Sequence, residues 1–265
     1  MAIGFNHLGK LGQLGNQMFQ FAATKGIAVN CGLEMCIPKH ENVFHDGIGN
    51  IIKIELDNPF IIRDYRDMIE GEVVQERHFH FDEDLFNNCS DNVSLFGFFQ
   101  TEKYFKHIED TIRHDFTFNS QICNECKPII EEMFDQNPIA LHIRRGDFLI
   151  NSGNHHNLSL DWYENALSKF DSDREVVIFS DDVFWASAQE LFQSDRFIIS
   201  DGNSSYHDLY MMTQCSDFII ANSTFSWWGA WLANTGRVIA PSVWFGPNNS
   251  HLDTKDLYPQ YWEIL

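Results

Sequence analysis

The chain has 265 residues, of which 44% are apolar and 14% are aromatic. This composition is sufficient for one large core or two moderate ones, and we expect two domains of roughly 120 to 130 residues. Its 38 acidic and 18 basic residues give a formal net charge of −20, which repels nucleic acid and anionic membranes. The charge argues against nucleic-acid binding. A small anion can still bind where local arginines outweigh a field that salt screens beyond about 10 Å.

The N-terminal residues 1–7 lack the basic flank and apolar stretch of a signal peptide, and the sequence has no run of about 18 apolar residues. We therefore expect a cytoplasmic protein without an integral membrane segment. The six cysteines include a single C-x-x-C pair, Cys123 and Cys126, with no second pair to complete a zinc site. We expect reduced thiols and no structural metal.

The first part of the chain begins with a glycine-rich segment, residues 9–17, that leads into the helical pattern of residues 18–28. The predicted order is strand, glycine loop, helix. Residues 40–75 have mixed polarity, which predicts loops with short β-like pieces at residues 51–52 and 60–62.

Two further elements are predicted before the middle of the chain. Residues 94–99 form an apolar run typical of a buried strand, and residues 101–114 predict a helix that begins with Thr101 as its cap. The first strand, within residues 3–8, is less apolar than a central parallel strand normally is.

A regular alternation of apolar strands and helical patterns begins after Lys127. Short apolar strands separated by helices predict a parallel, doubly wound α/β sheet, which binds ligands at the carboxyl ends of its strands. The predicted domains are residues 1–125 and 126–265. The predicted strands are residues 139–143, 175–179, 196–199, 217–220 and 238–240, and the helical patterns are residues 160–170, 183–192, 206–215 and 225–233.

A polar cluster follows each of the first four strands of this second half. Because the carboxyl ends of parallel strands meet at one edge, the clusters are predicted to converge on one crevice. They are residues 142–147, 180–182, 201–205 and 222–224.

Arg144 and Arg145 lie directly behind the first of these strands. Guanidinium groups match phosphate oxygens and keep their charge, so the pair predicts a phosphate site; the alternative is a structural ion pair with some of the many carboxylates. Neighbouring side chains of a strand point to opposite faces. We therefore expect Arg144 to meet the ligand and Arg145 to brace the loop.

Two helix starts at the same edge add candidate ligand contacts. Ser223 or Thr224 can cap the tryptophan-rich helix, whose free backbone N–H groups suit a phosphate; the alternative is ordinary capping without a ligand. Ser180, Asp181 and Asp182 can cap a second helix. A carboxylate there would accept hydrogen bonds from the N–H edge of guanine.

Three blocks span most of the chain: GQLGNQMFQFA at residues 12–22, HIRRGDF at residues 142–148 and NSTFSWWGAWL at residues 222–232. With these blocks in this order, the chain resembles the bacterial α-1,2-fucosyltransferases of glycosyltransferase family 11. The resemblance implies a GT-B-like α/β fold, with two Rossmann-like domains that have parallel sheets and a cleft between them. It also implies inverting transfer of L-fucose from GDP-L-fucose to the 2-hydroxyl of a terminal galactoside, with no metal and no cofactor.

Carried onto this chain, the resemblance places Arg144 on the diphosphate and His142 near the nucleotide. Residues 1–125 would form the acceptor-side domain, and residues 126–265 would bind the donor. The remaining implied donor contacts are Arg145, Ser180, Asp181, Asp182, Asn222, Ser223, Thr224, Phe225 and Ser226. Gly15, Asn16 and Gln17 would close the cleft from the acceptor side.

A metal-free transfer must neutralise the charge that develops on the leaving diphosphate, and Arg144 is the candidate, with the helix start near Ser223 as its partner. The acceptor hydroxyl needs a general base, for which Asp147, His155 and His156 are the nearby options. We select Asp147. Its alternative role is a brace that pairs with an arginine.

Two other functions stay open. D-x-D triplets at residues 82–84 and 171–173 would suit a metal-dependent nucleotide-sugar transferase, and a catalytically silent binder of GDP or glycan would keep the same fold. The expected partners are GDP-L-fucose and a galactose-terminated glycan, with no nucleic acid. Peripheral association with glycan-assembly enzymes at the cytoplasmic face of a membrane also stays open.

Overall fold

The computed structural model describes residues 1–62, 65–134 and 137–265, which form two compact units. Unit 1 comprises Met1–Phe118 and Leu252–Gln260, and unit 2 comprises Asn119–His251 and Tyr261–Leu265. The predicted division after residue 125 differs from this one. It would cut a helix that spans Ser120–Met133, and it leaves out the C-terminal segment that returns to unit 1.

The returning segment is attached to unit 1 through Asp256. One carboxylate oxygen of Asp256 accepts the backbone N–H of Phe81 at 3.1 Å, and the other lies 2.5 Å from Nζ of Lys103. These partners are 175 and 153 residues away in sequence. No local pattern reveals contacts of such separation, so the alternation of strands and helices could not predict the return.

Unit 1 is built on a small parallel sheet. Its strands are β1 (Ala2–Gly4), β2 (Glu34–Cys36), β3 (Phe44–His45), β4 (Ile51–Ile52), β5 (Glu72–Gln75) and β6 (Val93–Phe96), and its helices are α1 (Leu14–Cys31), α2 (Glu83–Asn88) and α3 (Glu109–Asp115). Four strands pair in parallel in the order β2-β1-β6-β5, and β3 with β4 forms an antiparallel hairpin. The predicted order of strand, glycine loop and helix is confirmed. Arg63 and Asp64 lie outside the described residues.

The low apolar content of the first strand has a structural reason in Asn6. Its amide donates to the backbone oxygen of Ile69 at 2.8 Å and accepts the backbone N–H of the same residue at 3.0 Å. The Asn6 backbone N–H donates to Oγ of Ser94 at 2.9 Å. β1 is three residues long, and the buried side chain of Asn6 joins the segment after this strand to Ile69.

The predicted helix over residues 101–114 is wrong in its first half. Thr101 does cap a turn, but that turn is a 3₁₀ helix at Glu102–Tyr104, and a second one precedes α3. Tyr104 and Phe105 are both fully buried. The Tyr104 carbonyl approaches Gly26 of α1 so closely that a Cβ at that glycine would lie 1.9 Å from it, and this packing holds the segment in tight turns.

Unit 2 contains the second sheet. Its strands are β7 (Ile139–Ile143), β8 (Val176–Ser180), β9 (Phe197–Ile199), β10 (Asp217–Ile219), β11 (Val238–Ala240) and β12 (Glu263–Ile264). Its helices are α4 (Ser120–Met133), α5 (Gly146–Ile150), α6 (Leu160–Leu167), α7 (Val183–Ser187), α8 (Ser205–Met212) and α9 (Thr224–Ala233). The five predicted strands are confirmed, whereas α4, α5 and β12 were not predicted. The helical pattern of residues 183–192 divides into α7 and a 3₁₀ helix at Glu190–Phe192.

All six strands of unit 2 run parallel in the order β12-β11-β10-β7-β8-β9. From β7 the chain winds to β8 and β9 on one side, and it then crosses to β10 on the other side. The winding direction therefore reverses between β7 and β10. In open α/β sheets a ligand crevice forms outside the carboxyl ends of the strands at this reversal.

Candidate active site

β7 and α9 are joined at the winding reversal by His142 and Ser226. Nδ1 of His142 lies 2.8 Å from Oγ of Ser226, and the two residues are 5% and 0% exposed. Burial, with the charge of Arg144 as a second cause, lowers the pKa of His142 to about 3. The imidazole is therefore neutral at physiological pH, and Ser226 is the hydrogen-bond partner of its Nδ1.

Arg144 lies just beyond the end of β7 and is held by two carboxylates. Its Nη2 donates to Oδ1 of Asp147 at 2.6 Å, and its Nη1 lies 3.0 Å from Oδ2 of Asp181. The Phe148 ring lies beneath the guanidinium, with Cζ 5.3 Å from the ring centroid. The group is fixed from three sides, while its side chain keeps 21% exposure for a ligand.

Arg145 is anchored differently from its neighbour. Its Nε donates to Oδ2 of Asp182 at 3.1 Å, and its guanidinium stacks on Trp185 with Cζ 3.8 Å from the ring centroid. The backbone N–H of Arg145 donates to Oδ1 of Asp181 at 2.8 Å. These contacts support the bracing role expected for Arg145. That Arg144, and not Arg145, meets the ligand stays a prediction.

The polar cluster behind β8 meets the arginine pair. Oγ of Ser180 accepts the backbone N–H of Asp182 at 3.0 Å, and Oδ1 of Asp182 accepts the N–H of Trp185, which caps α7. Asp181 bonds back to the loop after β7, and a Cβ at Gly146 would lie 2.7 Å from its Oδ2. The glycine therefore permits the close approach of the two loops.

The start of α9 lies on the other side of β7 in the sheet. Ser223 is the N-cap, and its Oγ accepts the backbone N–H of Phe225 at 3.3 Å. Thr224 and Phe225 are partly exposed, and the Phe225 ring lies 5.4 Å from that of His142. Of the two predicted caps, Ser223 and Thr224, the structure shows Ser223, and the positive end of the ten-residue helix faces the edge that carries the arginines.

Asn222 has a different environment from the one expected of a donor contact. It is 3% exposed, and its Nδ2 donates to the backbone oxygens of His156 and Trp244 at 2.8 Å each. The side chain thus ties two loops together beneath the cap of α9. Its predicted contact with the donor stays untested, while its bracing contacts are explicit.

The fourth predicted cluster, residues 201–205, bonds within its own turn. Ser200 Oγ donates to Asp208 at 2.6 Å, and Ser204 caps α8. β9 is the outermost strand on its side of the sheet. The contacts described above link the other three clusters across β8, β7 and α9, and the part of residues 201–205 in the crevice stays a prediction.

The site carries more negative than positive charge. Arg144 and Arg145 face Asp147, Asp181 and Asp182, which leaves one net negative charge because His142 is neutral. An anion must therefore be bound by directed N–H groups rather than by the overall field. The carboxylates keep lone pairs for hydrogen-bond donors of a ligand.

The two alternative metal motifs belong to different units, residues 82–84 to unit 1 and residues 171–173 to unit 2. Asp82 and Asp84 both pair with Arg77, and Asp82 also caps α2. Residues 171–173 precede β8 and so lie at the amino end of the strands, opposite Arg144. Across the described ranges, no group of three or more histidine, cysteine, aspartate or glutamate side chains is arranged to hold a metal ion.

In unit 1 the glycine loop is held by amide side chains. Gln17 is fully buried; its Nε2 donates to the backbone oxygens of Gly12 at 3.2 Å and Lys53 at 2.7 Å, and its Oε1 accepts the N–H of Glu55. Asn16 Oδ1 accepts from Gln100 at 2.9 Å. Gln17 therefore braces the loop.

Gly15, Asn16 and Gln17 are the residues expected on the acceptor side. Gly15 and Gln17 are buried in unit 1, and Asn16 is partly exposed. Asn16 is consequently the one of the three with side-chain surface left for a ligand.

The family model described as Glycosyl transferase family 11 matches residues 2–264, almost the whole chain. The chain belongs to glycosyl transferase family 11. The resemblance carried by the three sequence blocks is confirmed, and two of those blocks contain the residues that meet at the β7–β10 reversal.

Curated relatives agree with this membership. The O-antigen biosynthesis glycosyltransferase WbnK of Escherichia coli is 35% identical over 65% of this chain, and the match spans 63% of that protein, slightly less than two thirds. The alpha-1,2-colitosyltransferase of Escherichia coli is 29% identical over 95% of both chains. Human galactoside alpha-(1,2)-fucosyltransferase 1 is 23% identical over 86% of this chain and 65% of its own length.

Solved structures share the fold. POFUT1 in complex with GDP-fucose matches 90% of this chain and 96% of its own with a TM-score of 0.57 and 13% identity. NodZ alpha-1,6-fucosyltransferase soaked with GDP-fucose matches 96% of each chain with a TM-score of 0.50 and 14% identity. The predicted fold class, GT-B-like α/β with parallel sheets, is confirmed. Within the described residues, no helix combines the length and apolar character needed to cross a bilayer.

Proposed function

We propose that this protein is a galactoside 2-α-L-fucosyltransferase, which moves L-fucose from GDP-L-fucose to the 2-hydroxyl of a terminal galactoside with inversion. Membership of family 11 supports glycosyl transfer, and the human relative is named for the same linkage. The observation that carries the proposal is Arg144, held by two carboxylates at the winding reversal where open α/β sheets bind ligands.

The donor fits the site through three kinds of contact. Arg144 would donate to the diphosphate, and the backbone N–H groups at the start of α9 would add a positive dipole end. Asp181 or Asp182 would accept from the N–H edge of guanine. His142, neutral and fixed by Ser226, would orient the nucleotide without adding charge.

The chemistry needs charge neutralised on one side of the breaking bond. As the fucose C1–oxygen bond breaks, positive charge builds on the sugar ring and negative charge builds on the leaving diphosphate. A guanidinium already fixed in place stabilises that negative charge without reorganisation, and losing one such donor typically costs about 2.7 to 4 kcal/mol of barrier. We propose that Arg144 supplies this stabilisation and that no metal is required.

Asp147 is the proposed general base for the acceptor hydroxyl. Its contact of 2.6 Å with Arg144 equally supports a bracing role, because the carboxylate holds the guanidinium in place. His155, the other option nearby, stacks on Phe148 with ring centroids 4.0 Å apart, and burial lowers its pKa. Burial favours the neutral imidazole, which is the form that accepts a proton, so His155 is the substitute if Asp147 only braces.

Colitosyl transfer is the second candidate, because the colitosyltransferase relative aligns over nearly the whole chain and is more similar than the human fucosyltransferase. Colitose lacks the 3-hydroxyl of fucose. A site that bonds that hydroxyl rejects the deoxy sugar by large factors, whereas a site that leaves it free accepts both. Comparing GDP-L-fucose with GDP-L-colitose therefore separates the two donors.

The acceptor is proposed to be a galactose-terminated glycan of a bacterial surface polysaccharide. One relative is named for O-antigen biosynthesis, which supports this class of acceptor. We propose a cytoplasmic site of action, with peripheral association to glycan-assembly enzymes. A pull-down of the full chain with membranes, repeated after a high-salt wash, measures that association.

The proposed function is tested by incubating the purified protein with GDP-L-fucose and a panel of galactosides, with linkage and anomeric configuration read by NMR. An α-1,2 product that forms equally in EDTA supports the proposal, and metal-dependent turnover favours the D-x-D alternative. Tight GDP binding without donor consumption would favour a silent binder. Arg144→Ala should abolish transfer, whereas Arg196→Ala, an arginine at the amino end of β9, should leave it intact.

A further inference from the structure

The carboxyl edge of the sheet in unit 1 carries a group of residues that the donor site does not use. The winding direction of this sheet also reverses, between β1 and β6, because the chain goes from β1 to β2 on one side and reaches β6 through β5 on the other. A ligand crevice is expected outside the carboxyl ends of these strands. Glu76 and the turn at residues 97–100 follow directly after β5 and β6.

Glu76 holds this turn through both of its carboxylate oxygens. Oε2 accepts the backbone N–H of Phe98 at 2.8 Å, and Oε1 accepts that of Phe99 at 2.9 Å. The backbone N–H of Glu76 donates to the oxygen of Phe96 at 2.8 Å. A Cβ at Gly97 would lie 2.4 Å from Cβ of Glu76, so only glycine allows the carboxylate to reach the turn.

The backbone of the turn is strained at a bulky residue. Phe99 has a φ of 53°, a region that aromatic residues rarely adopt. Its side chain is fully buried, with edge-on contacts to Phe5 at 6.3 Å and to Tyr104 at 5.6 Å. Strain of this kind persists where the surroundings enforce it, and such positions cluster at ligand sites. Here the buried Phe99 and the carboxylate of Glu76 enforce it.

The turn places Phe98 next to Glu76, whose carboxylate accepts the backbone N–H of Phe98. While Phe99 is buried, its neighbour Phe98 is 38% exposed. Glu76 is partly buried, and that burial raises its pKa to about 7 against the two N–H groups that favour the charged form. The same edge also carries His7, whose Nδ1 has no hydrogen-bond partner among the described residues. A buried nitrogen without a partner is unusual in a folded protein and points to a ligand or water.

We propose that Glu76 and Phe98 form the subsite that binds the acceptor sugar, a galactoside. The Phe98 ring would stack on the apolar face of the sugar, and Glu76 would accept a hydrogen bond from one of its hydroxyls. This inference rests on the proposed function and assigns the acceptor side to residues that the sequence blocks do not include.

The test is acceptor kinetics of the full chain at saturating GDP-L-fucose, with lactose as the varied galactoside. Phe98→Ala should raise the KM for lactose about tenfold, since it removes stacking only. At pH 8, where a carboxyl with a pKa of about 7 is mostly ionised, Glu76→Gln should raise it by roughly 10- to 100-fold, because a hydrogen bond to a charged group is lost. The KM for GDP-L-fucose and the Kd for GDP should not change. Phe98→Tyr should restore the lactose KM.

Two control variants change residues of β5, the strand that directly precedes Glu76. Glu72→Gln removes a carboxylate at the amino end of β5, and Val73→Ala removes an exposed apolar side chain from the same strand. Both should keep the wild-type KM for lactose. An unchanged lactose KM in Phe98→Ala and Glu76→Gln would overturn the subsite, and so would an equal loss of GDP affinity, which would indicate a purely structural role.

A direct binding measurement separates this subsite from the proposed function. Saturation-transfer NMR reports lactose bound to the GDP-loaded protein without any turnover. Wild-type signals that disappear in Phe98→Ala and persist in Val73→Ala support the subsite even if no sugar is transferred. Signals of equal strength in wild type and Phe98→Ala, or none in wild type, would refute it. Failure of transfer with every galactoside counts against the proposed function alone.

Discussion

Acidification should destabilise unit 2 through His142. Burial lowers the pKa of His142 from its ordinary value of 6.5 to about 3 in the folded chain. Between pH 6.5 and about pH 3 the unfolded chain therefore binds a proton at His142 and the folded chain does not. Stability therefore falls as the pH falls below 6.5. The loss grows toward about 1.4 kcal/mol per pH unit and reaches about 2.3 kcal/mol between pH 6.5 and about pH 4.5.

The assay is urea unfolding followed by tryptophan fluorescence. All seven tryptophans lie in unit 2, so their emission reports this unit: Trp162, Trp185, Trp227, Trp228, Trp231, Trp244 and Trp262. The variant is His142→Asn, which keeps a polar group near Ser226 and cannot take up a proton. Its unfolding free energy should lose this part of the pH dependence, whereas His251→Asn, at an exposed position, should follow wild type. If the unfolding free energies of wild type and His142→Asn fell equally as the pH is lowered, the reasoning would be refuted.

Three further variants test individual contacts. Ser226→Ala should cost about 1 to 3 kcal/mol of unfolding free energy, because it removes a buried hydrogen-bond partner of His142, and equal stability in urea would contradict this. Asp208 has a pKa raised to about 6 by burial, so the folded chain holds a proton there that the unfolded chain releases, and stability is lost as the pH rises toward 6. Asp208→Asn should remove that loss in the same fluorescence assay. The same dependence of unfolding free energy on pH in Asp208→Asn and wild type would contradict this assignment. Asp147→Asn should lower kcat by at least roughly 100-fold with the Kd for GDP retained, as expected for a general base; a weaker Kd for GDP would show that Asp147 braces Arg144.

Local chemistry explains which parts of the fold could be predicted. The strands β7 and β8 are buried along nearly their whole length and are therefore recognisable as continuous apolar runs. A cap at Ser223 or Thr224 was predictable because a hydroxyl oxygen before a helix accepts one of its free backbone N–H groups, and the structure selects Ser223. The parallel pairing then follows from the alternation of strands and helices, and with it the edge at which the site lies.

Long-range packing explains what the sequence could not predict. Arg144 was expected to meet a ligand, but its partner Asp181 is 37 residues away and is brought near only by the pairing of β7 with β8. Asn222 was expected to contact the donor, but its amide is used by two loops that the fold brings beneath it. Glu76 reaches the turn after β6 in the same way, by the pairing of β5 with β6.

The central claim is that Arg144 binds the diphosphate of the donor, and isothermal titration of GDP into wild type and Arg144→Ala tests it most directly. We predict that the Kd for GDP weakens by roughly 10- to 100-fold, because a charged hydrogen bond is lost and two carboxylates are left without their cation. Arg196→Ala should bind GDP as wild type does. Equal affinity of wild type and Arg144→Ala, with both proteins folded by circular dichroism, would contradict the account.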